Sequence, residues 1–361
     1  MTTTSHSASI AAQSDPAPLT NTEWKQLCDV MNGYIYSQTL VTACDLDLFT
    51  HLSAHPGTTQ EQLAHSLGLS PHCTRILMLA CCAVGLVLRD SPDGGYRNSE
   101  IAGKVLVSGS PYSMLPFVQF NHRVQERCSG HFTQALKENR NAGLDEFPGG
   151  GSTIYERLAE YPDLENLFHD AMGAYTRLSP KIVHLAEFSA VRHLLDVGGG
   201  DGTNAIALCK RFPDLNVTIL EKPTVARITR ESVAKAGLNG RITCVEGDMF
   251  LDAWPADCDA ILFSHLVEIF SPARIRVLYK QAFATLPRAG QLFVWTIMAN
   301  DSETGALQAA KSSIYFLCAA SGEGMGYPAR QHEESLRWAG FSTIKRYPAA
   351  EVDHGALVAV K

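Results

Sequence analysis

The sequence is short of several things. It has no cationic surplus: 30 Lys and Arg stand against 37 Asp and Glu, a net charge of −7. Nucleic acid and anionic membrane both call for clustered cations, so neither is expected as a partner. No apolar run approaches the ~18 residues of a membrane span. The opening MTTTSHSASIAAQSDPAPLT lacks the apolar core of a secretory signal and reads as a disordered start over residues 1–20. The ten cysteines form no CxxC pair and no Cys/His set with zinc spacing, so no metal is expected. Cys209, Cys244 and Cys318 sit among apolar residues, as buried reduced thiols of a cytoplasmic protein do.

What is present is an ordinary globular composition, 45% hydrophobic and 19% charged over 361 residues, enough for two domains. Residues 21–188 read as mostly helical. TTQEQLAHSLGL predicts a short helix capped at Thr58 or Thr59, and Ser70-Pro71 opens a second one, PHCTRILMLACCAVG. LVLRDSPDGGYRNSE then reads as two strands around the turn Pro92-Asp93-Gly94-Gly95. Helix, turn, helix, hairpin is a winged-helix arrangement, placed at residues 21–115. Its would-be recognition helix is nearly all apolar, with Arg75 its only charge, so it suits a protein partner and homodimerisation rather than DNA. Residues 116–188 read as linker and pocket helices, with helices at Ile154–Leu158 and Leu164–Leu185. From 189 onward, HLLDV, NVTIL, ITCVEG, DAILF and GQLFVW alternate with helical stretches. That is the pattern of an α/β, doubly wound, mostly parallel Rossmann-like sheet.

Gly198, Gly200 and Gly202 alternate through DVGGGDG at the end of the first of these strands. The spacing is one residue short of a dinucleotide fingerprint. Asp196 and Asp201 flank the loop, and carboxylates repel a pyrophosphate but suit the ammonium and sulfonium of S-adenosyl-L-methionine. Glu221 ends the next strand, where an acid accepts from ribose hydroxyls. Asp248 ends the third and is placed to receive an adenine amino group, with Met249 and Phe250 against the ring.

With these residues in place, Trp24 to Lys361 resembles the dimeric winged-helix class I S-adenosylmethionine-dependent small-molecule O-methyltransferases, a family of plant phenolic and bacterial antibiotic-pathway enzymes. LLDVGGGDG, FHDAMGAYT, EGDMF and HEESLRWAGF before a last strand carry the likeness. The resemblance implies a small aromatic acceptor, with Phe168 and Met172 lining the reaction centre, or else simply packing the core. It implies Thr176 on the donor's carboxylate, and N-terminal residues lent to a partner's pocket.

The sequence departs from the family where a His-Asp pair is usual. SHLVEIFSP puts Glu268 at the histidine position and Ile269 at the aspartate position. Ser264 replaces a lysine and is counted with the donor-binding residues. His265, three positions before Glu268, falls on a neighbouring helical face and is not the family base; it is placed in the acceptor pocket. Trp295 or Thr296 stands where an orienting acid is usual. Three readings stay open. Glu268 is a general base for C-methylation, for example of an indole, which is the preferred reading. Alternatively the enzyme methylates O or N by proximity alone, or it binds the donor without spending it. Glu268 can also be no more than a helix N-terminal acid. His169 is a possible helper to Glu268. Tyr34, Tyr36, Asn121, His122, Arg123 and Glu323 are further pocket candidates.

Overall fold

The structure, a computed structural model, describes residues 18–91, 94–178, 182–350 and 354–361. The chain divides into two units, residues 1–99 and 100–361. Most of the expected disordered start, residues 1–17, lies outside the described residues, as do Pro92 and Asp93 of the expected turn.

The first unit has helices at Asn21–Met31, Gly33–Asp45, Leu48–Ala54, Gln60–Leu67 and Pro71–Ala83, then strands β1 (Val87–Arg89) and β2 (Tyr96–Asn98), paired antiparallel. Local chemistry sets the boundaries. Thr20 already caps the first helix through a box with Glu23. Thr59, not Thr58, caps the fourth, in a box with Gln62, and Gly68 ends it in the left-handed conformation. Ser70 accepts from the Cys73 amide, with Pro71 at the first helical position. The last helix buries Leu77, Met78 and Cys81. The first two leave Trp24, Val30, Met31, Tyr34 and Ile35 exposed.

In the second unit, strands β3 (His193–Val197), β4 (Asn216–Glu221), β5 (Ile242–Glu246), β6 (Ala260–Ser264), β7 (Gln291–Ile297), β8 (Thr343–Ala350) and β9 (His354–Val360) form one sheet. Their order is β5-β4-β3-β6-β7-β9-β8. The first five are parallel, and β9 runs antiparallel to β7 and β8. Successive residues of a strand face opposite ways. Leu195, Val197 and Phe263 therefore join Leu278 and Leu336 on one side, and Leu194, Leu262 and Phe293 join Phe188 and Leu208 on the other. The chain reverses direction across the sheet between β3 and β6, and ligands bind outside such a switch point.

Two expectations need correction. The helix expected over Leu164–Leu185 runs instead from Pro162 to Leu178, followed by a separate 3-10 turn at Ile182–His184. Pro162 opens it. The stretch HEESLRWAGF, which begins inside the helix Ala329–Ala339 and runs two residues past it, leads into two strands rather than one.

Candidate active site

The glycine loop leaves β3 with Gly198, Gly200 and Gly202 all at positive φ, 69°, 58° and 81°. Only glycine adopts this alternation without strain. A Cβ on Gly200 would meet nothing within 4 Å, so that face is open. A Cβ on Gly199 would lie 2.7 Å from Asp196 Oδ2, so the backbone rests directly on that carboxyl.

Asp196 is only 1% exposed, and neither carboxyl oxygen has a hydrogen-bond partner among the described residues. Burial, and then the charge of Glu221, push its carboxyl up to about 7. Glu221 ends β4 and accepts from the Gly200 amide at 3.1 Å and the Lys222 amide at 2.8 Å. Burial raises its pKa as well. Each oxygen keeps a further lone pair for a ribose hydroxyl. Asp201 Oδ1 accepts from the Thr203 amide, tying the loop to the helix Thr203–Arg211. Beyond β5, Asp248 accepts from the Phe250 amide at 2.8 Å. Phe250 meets Phe270 edge-on, and Arg274 lies 4.2 Å over its ring. Ser264 ends β6 and accepts from Asn204 at 2.9 Å. An orphaned buried carboxyl, an open glycine cradle and acids at successive strand ends fit a cationic adenosyl donor.

The helix Pro162–Leu178 closes on this loop at Gly173, where a Cβ would lie 2.9 Å from Asp201 Oδ2. Phe168 and Met172 are partly buried on it, and Thr176 is half-buried one turn on. Phe168 packs 5.5 Å from Phe120 and 5.5 Å from Tyr155.

Glu268 lies in a 3-10 turn, Val267–Ile269, just past β6. It is 2% exposed, and its Oε2 has no partner among the described residues. Leu266, two residues earlier, packs against Gly198, which puts this segment beside the donor loop. Around it stand groups that its charge reaches. Tyr155 is pushed up by burial and then by Glu268. His332, hydrogen-bonded to Tyr279 at 2.8 Å, is pushed down to about 4 by burial against the opposing charge of Glu268.

The spacing had put His265 on a different helical face from Glu268. The backbone there is not helical. His265 has φ 51°, and its Nδ1 comes within 3.4 Å of Glu268 Oε1. Its ring meets Tyr175 at 6.0 Å and His354 at 4.9 Å, and His354 stacks on Trp295 at 5.7 Å.

The remaining candidates have other surroundings. His169 is half-buried, with Glu165 and Asp201 as its leading charged neighbours rather than Glu268. Glu323 binds Arg274 at 2.9 Å. Arg123 is exposed, and His122 pairs with Glu126. Tyr34 and Tyr36 are exposed on the first unit, where Tyr36 donates to Asp29. Asn121 opens a π-helical segment, Asn121–Glu126. Tyr155, Tyr175, Tyr279, His332 and His354 escaped the sequence reading. Tyr175 and His332 lie within FHDAMGAYT and HEESLRWAGF, but those stretches do not show which side chains meet; Tyr155, Tyr279 and His354 lie outside the quoted motifs, and long-range packing brings all five together.

Comparison with known proteins gives a consistent result. A sequence model of the O-methyltransferase domain matches residues 130–342, and one of the O-methyltransferase dimerisation domain matches residues 28–108. L-tyrosine C(3)-methyltransferase of Streptomyces lavendulae is 34% identical over 350 residues, 96% of this chain and 94% of that protein. 3-Hydroxy-5-methyl-1-naphthoate 3-O-methyltransferase of Streptomyces sahachiroi is 28% identical, covering 92% of this chain and 94% of that protein. The solved apo structure of the S-adenosylmethionine-dependent methyltransferase SibL superposes with a TM-score of 0.81 at 33% identity, covering 94% of this chain and 99% of that one. Human N-acetylserotonin methyltransferase, at 22% identity and a TM-score of 0.84, shares the fold over 96% of this chain and 99% of that one.

Proposed function

The chain belongs to the O-methyltransferase family and is an S-adenosylmethionine-dependent methyltransferase, and we propose that it methylates a ring carbon of a small phenolic or heteroaromatic acceptor. The observation that carries this reading is Glu268, a carboxylate 2% exposed beside the donor loop with one oxygen unpartnered among the described residues. Methylation of carbon on an electron-rich ring requires the acceptor to give up protons, and a fixed carboxylate that takes one up sustains the transfer. The tyrosine C(3)-methyltransferase named above is a relative with this kind of chemistry.

S-adenosylmethionine supplies an electrophilic methyl group on a positive sulfur. Asp196, Asp201 and Thr176 hold its amino-acid end, with Gly198, Gly200 and Ser264 around it. Glu221 holds the ribose, and Asp248, Met249 and Phe250 the adenine. Phe168 and Met172 confine the acceptor near the sulfur, where alignment alone lowers much of the barrier. The dimerisation segment makes the working form a homodimer.

Glu268→Gln tests the reading. With methyl-labelled donor and a panel of L-tyrosine, p-cresol and indole, turnover drops about 10²-fold or more while donor affinity holds. NMR of the product locates the label on carbon. Near-normal turnover would leave proximity as the mechanism, and a label on oxygen or nitrogen would refute carbon transfer.

A further inference from the structure

O-methylation of a phenol moves one proton off the acceptor; methylation of its ring carbon moves two. The hydroxyl proton must leave before attack, and the carbon-bound proton must leave afterwards for the ring to become aromatic again. One acceptor group already holding the first proton is not free for the second.

Two acceptor groups stand together at the end of β6. His265 Nδ1 and Glu268 Oε1 are 3.4 Å apart. The remaining heteroatoms of this pair, His265 Nε2 and Glu268 Oε2, are both buried and have no hydrogen-bond partner among the described residues. The imidazole is 20% exposed and the carboxylate 2%. His265 holds this place through a left-handed backbone, φ 51°, an uncommon conformation for a residue with a side chain. Such strain persists where the surroundings impose it, and clusters at functional sites. Tyr175 and His354 pack on the ring.

Resting on the carbon-methylation reading, we propose that His265 and Glu268 form a two-site proton acceptor, with His265 Nε2 taking the hydroxyl proton and Glu268 Oε2 the ring-carbon proton. The division follows from chemistry. Imidazole is by nature a stronger base than a carboxylate, and the phenol hydroxyl is the harder proton to remove. The carbon-bound proton of the dienone is far more acidic, and a carboxylate suffices. A proton on Nδ1, facing Oε1, fixes the tautomer that leaves Nε2 with its lone pair.

The steps balance. The hydroxyl proton passes to Nε2. The ring's electron pair forms the carbon–methyl bond as the carbon–sulfur bond breaks, leaving a neutral thioether. The carbon-bound proton passes to Oε2, and that bonding pair restores the ring. The imidazolium returns its proton to the phenolate oxygen, and the one net proton leaves from Glu268.

Two measurements on the full-length protein test this. Histidine-selective ¹⁵N labelling, with His265→Asn to assign the signal, reads the tautomer in the complex with S-adenosylhomocysteine. The expected state has Nδ1 protonated and Nε2 bare, with that preference lost in Glu268→Leu, which offers Nδ1 no acceptor; Nε2 protonated, or no response to Glu268→Leu, overturns the pairing. Asparagine is chosen because it tolerates the left-handed backbone. Single turnovers with L-tyrosine and p-cresol, protonated or deuterated beside the hydroxyl, then separate the roles. Glu268→Gln develops a primary isotope effect, because loss of the ring proton has become limiting. His265→Asn loses about 10²-fold without one. The same isotope effect in both variants, or near-normal turnover of His265→Asn, refutes the division. No carbon-methylated product from either phenol refutes the underlying carbon-transfer reading, while the tautomer, which needs no acceptor, still decides the pairing.

Discussion

Asp196 shows how one buried carboxyl can tie donor binding to pH. Its pKa, raised from 3.8 to about 7 by burial and by Glu221, means the free protein keeps it neutral below pH 7. A raised carboxyl pKa favours the fold most below pH ~4, and that contribution is lost as the pH climbs through 7. A cationic donor reverses the preference, because the ammonium favours the charged carboxylate. Donor affinity is therefore expected to rise about tenfold per pH unit below 7 and to level off above it, before the donor's own amine deprotonates near pH 8. Titration calorimetry between pH ~5.5 and ~7.5 checks this; Asp196→Asn should flatten the profile, and a flat profile in the unsubstituted protein would refute the linkage. DVGGGDG marks Asp196 as a candidate donor residue. Its neutral, unpartnered state was not legible, because that depends on what covers it. The same contrast holds at Glu268. Its place after β6 could be read by counting, but the approach of His265 could not, since it follows from one left-handed residue with no local signal.

Among the elements, the strand from His193 to Val197 and the glycines behind it are the most legible, because a parallel core strand is a short apolar run ended by glycine. The helix starts at Thr59 and Ser70 were equally plain, since caps are chosen by side chains a few residues away. The end of the helix starting at Pro162 is less legible, because apolar periodicity in the sequence continues past Leu178, where the helix stops. The glycine loop also makes a prediction of its own. In Gly199→Ala the new methyl lies 2.7 Å from Asp196 Oδ2 and 3.0 Å from Ile219 Cγ2. Such overpacking costs about 1–3 kcal/mol. Thermal unfolding should register that loss, and the shift that donor normally adds should shrink with it. An unchanged melting curve with full donor stabilisation would show that the loop relaxes freely.

For the whole molecule, the question is what the first unit is for. Val30 is 77% exposed, Tyr34 63% and Met31 54%, all on its first two helices. Large apolar side chains left exposed on adjacent helices mark a protein interface. A carboxylate in that face, Val30→Asp, is expected to shift the homodimer towards monomer in light scattering. An unshifted dimer would place the interface elsewhere. The sequence by itself determined the class of the molecule, its parallel sheet and its donor loop, because periodicity, caps and glycine spacing act over a few residues at a time. Only the tertiary structure decided which polar atoms stand unpartnered among the described residues and which distant residues stand beside Glu268. Asp196 is covered by its own loop, Tyr155 approaches from far upstream, and His265 turns towards Glu268. Those relations are set by packing between segments distant in the chain, which no local pattern encodes.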